Sequence, residues 1–136
     1  MKNFKVGDTW QGDSYADMIN KVLGTSYKGY MKATVPLSEL GVVAWFVVMD
    51  GTEHGVGNNV FGDYLSEDGE TIFEVFAGKD SKRGSDTIIR NGVFPKRHCF
   101  QRDPDKTGNK YKCKYVGYFE LDTSYNEFTT RILKRK

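Results

Sequence analysis

Two imidazoles and two thiols are the first places to look for chemistry. His54 lies in "DGTEHGVGNN", a glycine- and asparagine-rich loop of the kind that carries function, whereas His98 lies in a strand-like run and reads as a structural or surface residue. Cys99 follows Arg97 and His98, whose charge would lower a thiol pKa, but a buried strand cysteine is ordinarily inert. Cys99 and Cys113 are too few for a disulfide framework and lack zinc-site spacing. A metal-dependent nuclease often places an acid–x–Lys on a strand, and "EVFAGKD" sets Glu74 and Lys79 too far apart for that. There is no HExxH, no nucleophile elbow and no phosphate-binding glycine loop, and "GVGNN" is too short for a dinucleotide fingerprint. No catalytic residue, metal or cofactor is assigned.

Binding chemistry remains. Lys79, Lys82, Arg83, Arg90, Lys96, Arg97, Arg102, Lys106, Lys110, Lys112 and Lys114 interleave with Phe94, Phe100, Tyr111, Tyr115 and Tyr118. Cations suit phosphates and aromatic faces stack on bases. The net charge of +2 hides a split. Residues 1–78 carry five Lys/Arg against eleven Asp/Glu, and residues 79–136 carry fifteen against seven. A basic half suits a polyanion, although scattered charge on a solvated surface explains the count equally well. The period-2 spacing of Tyr111, Tyr115 and Phe119 already accounts for them as core.

Positioning these residues requires a folded scaffold. A chain of 136 residues suits one domain, 1–136, and its 14% aromatic content supports a packed core. No apolar run approaches the roughly 18 residues of a membrane span. The start "MKNFKVGDTWQGDS" has no signal-peptide core, so a soluble cytoplasmic protein is expected, with no membrane partner. "GDSYADMINKVLG" predicts a helix, capped by Asp13 or Ser14 and stopped by Gly24, with Tyr15, Met18, Ile19, Val22 and Leu23 on one face. "GVVAWFVVMDG" predicts a strand buried on both faces, and "TIFEVFAG" a strand with Ile72 and Glu74 on one side and Phe73 and Val75 on the other. "SDTIIRNG" predicts a helical turn; "RHCFQRD", "YKCKYVGYFEL" and "NEFTTRILK" predict strands, the first two joined by the turn "DPDKTGN"; "VPLSEL" predicts a short turn or helix. The sum is α+β: an N-terminal helix with a curved antiparallel sheet or partly open β-barrel.

The stretch "GNNVFGDYLSEDG", then "TIFEVFAG", then "KDSKRGSD" resembles the SRA-like (SET- and RING-associated) domain, a PUA-superfamily module at the N-terminus of many bacterial HNH-type restriction endonucleases that read modified DNA. That family has a Gly-Asn … Tyr-Gly-Tyr-x-Asp segment, a strand, and a Gly-x-Gly-x-x-Gly-Asp loop. It also opens with Phe-x-Val-Gly, matched by "FKVGDTW", and continues with strands matched by "RHCFQRD" and "YKCKYVGYFEL". The order spans most of residues 4–121. The loop keeps Gly78, Gly84 and Asp86 but has Lys79, Ser81, Lys82 and Arg83 where the family is more acidic and glycine-rich. No HNH segment follows before "RILKRK", so a reader without the cutter is expected, with a nuclease partner or domain supplying cleavage.

The resemblance implies base flipping from double-stranded, modified DNA into a pocket. Phe61 and Tyr64 are the implied stacking residues, and Asp63 the acceptor for an exocyclic amine. Trp45 is a candidate wall, though a core role explains it as well. Lys79, Ser81, Lys82, Arg83 and Ser85 would follow the phosphates, with Lys96 and Arg97 behind them. Core packing for Phe61 and Tyr64, and a turn role for Asp63, are the competing readings. Two other functions compete: a phage or bacterial protein-interaction factor, such as a restriction or defence inhibitor whose acidic half imitates DNA, and a small nuclease.

Overall fold

The computed structural model describes residues 3–39, 41–51, 54–56, 59–75, 96–104, 108–122 and 130–136. In chain order the elements are β1 (Thr9–Gly12), α1 (Tyr15–Leu23), β2 (Thr34–Pro36), β3 (Val42–Val47), β4 (His54–Val56), β5 (Asn59–Phe61), β6 (Tyr64–Leu65), β7 (Thr71–Val75), β8 (Lys96–Arg102), β9 (Tyr111–Leu121) and β10 (Thr130–Arg135). The expected α+β class is borne out. "VPLSEL" contributes to β2 and the bend after it, and the turn expected at "SDTIIRNG" lies outside the described residues.

Helix α1 forms where its caps and apolar stripe require. The Ser14 side chain accepts from the Asp17 N–H, and Gly24 takes the left-handed conformation at φ 70°. Met18, Ile19 and Val22 are fully buried, each contributing about 1.5–3 kcal/mol of apolar transfer. Gly12 lets β1 run straight into the helix. A Cβ there would sit 2.3 Å from the Met18 backbone nitrogen.

Eight strands form one sheet in the order β2-β3-β8-β9-β10-β7-β6, with β1 added beside β9; β4 and β5 form a separate hairpin. Every pairing is antiparallel except β3 with β8, which is parallel and makes the sheet mixed rather than wholly antiparallel. The unbroken apolar run of β3 fits this position. Ala44 and Phe46 pack toward α1, while Trp45 and Val47 pack on the other face.

The sheet curls. Trp45, Ile72, Cys99, Phe119 and Leu133 come from strands spread along its path yet pack in one cluster. Beyond β3, Asp50 forms an isolated bridge to Tyr64, the Gly51 N–H donates to Asp63 O at 2.9 Å, and the Leu65 N–H donates to Met49 O at 3.2 Å. The two ends of the sheet are thus drawn together without a continuous closing strand. The outcome is the partly open barrel expected, with one core outside, under α1, and one inside.

Strand β9 spans both cores because of a bulge. Cys99 pairs with Gly117 but Phe100 pairs with Tyr115, leaving Val116 as the extra residue. Cys113 and Tyr115 therefore sit in the outer core and Phe119 in the inner one, not on the single face that strict alternation predicts. Gly117 supplies the φ of 135°. Among the described residues no helix is long and apolar enough to cross a membrane.

Candidate functional site

At one end of the inner core, the chain after β3, the lead into β6, and the end of β7 meet. The Gly62 N–H donates to Val75 O at 2.8 Å, beside the Gly51–Asp63 bond. The stretch ending in Asp63 is thus anchored beside Val75, the last residue of β7.

Alternation then sorts the side chains. Leu65 pairs with Ile72 and packs against the inner core. Tyr64 pairs with Phe73 and stacks on it outside, centroids 4.6 Å apart and rings 15° from parallel. Asp63 has the inward parity of Leu65 and is 1% exposed. Glu74 and Arg97 are inward too, and Arg97 Nη1 donates to Glu74 Oε2 at 3.2 Å. The guanidinium lies 4.5 Å over the Trp45 ring, and Trp45 pairs with Cys99 across β3 and β8. Burial pushes the Cys99 thiol well above its ordinary range. Arg97, Glu74 and Asp63 are all close enough to act on it electrostatically.

Five side chains from four segments therefore form one buried group: Trp45, Asp63, Glu74, Arg97 and Cys99. An unpaired buried charge costs several kcal/mol, so the Arg97–Glu74 contact is needed to keep both ions inside. The group holds two carboxylates, whose oxygens are hydrogen-bond acceptors of the kind a donor-bearing ring edge requires. Cys99 is protonated and packed, which does not suit a nucleophile.

The expected residues divide accordingly. Asp63 and Trp45 come together in the inner group. Tyr64 stands on the outer face, 40% exposed, away from Asp63. Phe61 belongs to β5, and its side chain lies outside the described residues, as do Lys79, Ser81, Lys82, Arg83 and Ser85. Lys96 is on the surface, 3.6 Å from Glu120. Arg97 departs from the expectation of a phosphate contact. It is 3% exposed because alternation in β8 turns positions 97 and 99 inward, where Glu74 meets it. His98 points the other way. Its Nδ1 is 2.7 Å from the Tyr115 hydroxyl, and burial lowers its pKa.

Glu74 is the residue that sequence reasoning passed over as a site member. The signal was an acidic residue at an inward position of an apolar strand, which demands a partner.

The family model for the SET and RING associated domain matches residues 2–135. Among solved structures, the chain is similar to "The 5-Hydroxymethylcytosine-Specific Restriction Enzyme AbaSI" at a TM-score of 0.64 and 22% identity. That match covers 93% of this chain and 38% of the other, so the likeness carries the fold and this chain corresponds to a minor part of that enzyme. No curated protein matches. With the family model spanning nearly every residue, and a helix-backed, partly open barrel beneath it, the chain belongs to the SET and RING associated (SRA) domain family.

Proposed function

We propose that this chain is the DNA-reading module of a modification-dependent restriction system, and that it recognises a modified cytosine turned out of the duplex. The observation that carries this reading is the placement of Asp63. It is buried beside the Glu74–Arg97 pair, and its backbone is tethered by the Gly51 N–H, with the Gly62 N–H held by Val75 O. A modified base cannot be inspected inside the stack, and extrusion costs roughly a few kcal/mol. A carboxylate able to accept from an exocyclic amine favours cytosine-type bases over thymine, which lacks that donor.

The proposed division of labour follows. Asp63 accepts from the base edge. Phe61, two residues earlier, supplies a stacking face, and Trp45 backs the Asp63 group. Lys79, Lys82 and Arg83 hold phosphates, with Ser81 and Ser85 adding hydrogen bonds and Lys96 contributing from the rim. Tyr64, stacked outside on Phe73, is not assigned to the base. Cleavage belongs to another domain or partner. The protonated Cys99 and the Tyr115-bound His98 support a non-catalytic role. The name of the similar enzyme makes 5-hydroxymethylcytosine the first ligand to try.

The test is a binding panel of plain, methylated, hydroxymethylated and glucosylated duplexes at two salt concentrations. The wild type is expected to prefer one modified duplex by at least about tenfold, equivalent to about 1.4 kcal/mol. Asp63→Asn should bring that ratio close to one while leaving salt-sensitive general affinity. Equal binding of all four duplexes by the wild type would refute the reading.

A further inference from the structure

A groove of about 660 Å³ lies elsewhere on the sheet, lined by residues of β1, β8 and β9 and by Asp103. We propose that it holds the sugar–phosphate backbone of duplex DNA flanking the nucleotide that is read; this rests on the reader function proposed above.

The registers build the groove as a grid. Thr9 pairs with Lys114, and Lys114 with Gln101, forming one rung. Gln11 pairs with Lys112, and the Asp103 N–H donates to Lys112 O at 3.1 Å, forming the next. Directly paired residues share a face, so six polar side chains stand together. Trp10 and Cys113 also line the groove while packing with the core under α1, and the Arg102 guanidinium lies 5.6 Å over the Tyr15 ring.

Charge indicates the occupant. Lys21, Lys96 and Lys110 each have a carboxylate partner, as do Arg97 and Arg135. Among the described residues, Lys112 and Lys114 have neither a carboxylate partner nor a side-chain hydrogen bond. Two like charges stand about 7 Å apart on one strand face, a spacing at which each ammonium can take its own phosphate. The neighbouring amides and hydroxyl of Gln11, Gln101 and Thr9 are the neutral groups that commonly bond phosphate oxygens. Asp103 offsets part of the charge beside Lys112 and leaves the Lys114 end more cationic.

Position supports the same ligand. Arg97, Cys99 and Gln101 alternate onto one face of β8, so the groove continues the face that carries the Asp63 group. Arg97 and Gln101 are about 13 Å apart along the strand, less than half of the ~34 Å helical repeat of DNA. A duplex read at Asp63 would therefore pass over the groove.

The experiment compares the double variant Lys112→Gln/Lys114→Gln with the wild type on plain and hydroxymethylated duplexes by fluorescence anisotropy across a salt series. Each lost phosphate contact lowers the log–log salt slope by about 0.9, so a fall of about 2 is expected. Affinity should drop on the order of tenfold for both duplexes, with their ratio unchanged. Lys28→Gln/Lys32→Gln removes the same charge from the segment after α1 and should leave the slope nearly intact. An unchanged slope in the first variant, or equal falls in both, would overturn the groove assignment. Failure of the wild type to bind duplex at all would instead refute the reader function.

Discussion

Asp63, Glu74 and Arg97 show how far single residues can be read without coordinates. Asp63 was recoverable, because it follows a glycine in a stretch whose order resembles a known pocket segment. The inward parity of Glu74 was also legible, since it alternates with Phe73 and Val75. What escaped was its partner. Arg97 stands in "FPKRHCF", a segment whose cations read as surface, and only the placement of β8 relative to β7 brings it to Glu74. This pairing gives a residue-scale prediction. Arg97→Met leaves Glu74 buried without its guanidinium and should cost about 3–5 kcal/mol, measured by urea unfolding. Adding Glu74→Gln should recover most of that loss. Additive losses in the double variant would show that the two side chains are not coupled in the way their 3.2 Å contact implies.

At the scale of elements, local signals were reliable and nonlocal ones were not. The caps and stripe of α1 are visible in "GDSYADMINKVLG", and β9 matches "YKCKYVGYFEL" from end to end. The parallel pairing of β3 with β8 depends on where a long connection returns, which no short-range pattern encodes. The bulge at Val116 likewise appears only once β8 is in register, and it reassigns Phe119 to the other core.

The helix–sheet layer carries its own prediction. Tyr15, Cys113 and Tyr115 pack in the outer core, and burial raises each of their pKa values to about 12, from 10.0 for the tyrosines and 9.0 for the thiol. In the unfolded chain these groups lose protons first. The stability they contribute is thus complete below about pH 9 and declines through pH 9–12. Thermal unfolding followed by circular dichroism should show Tm falling across that window. A Cys113→Ala/Tyr15→Phe variant should show a shallower fall, and identical curves would remove these groups as the cause. His98 acts at the other end. Burial lowers its pKa below 6.5, so its contribution is present above that pH and lost as pH falls through the lowered value.

For the whole molecule, the charge split acquires a structural meaning. The basic carboxyl half supplies Lys112 and Lys114 in the groove, while cations at 96, 97 and 110 are already engaged with carboxylates. The acidic half supplies Asp63 and Glu74 to the interior. A partly open barrel suits this arrangement, because one continuous sheet face can offer a buried polar group at one end and a cationic groove at the other. The likeness to the similar restriction enzyme covers 38% of that enzyme's chain.

The most direct measurement places 2-aminopurine next to the modified cytosine in a duplex and follows its fluorescence as protein is added. The account predicts a several-fold rise with the wild type on the modified duplex, and little change on the plain duplex or with Asp63→Asn. Tight, modification-dependent binding with no rise would contradict extrusion of the base toward Asp63, and an equal rise with Asp63→Asn would place the base elsewhere.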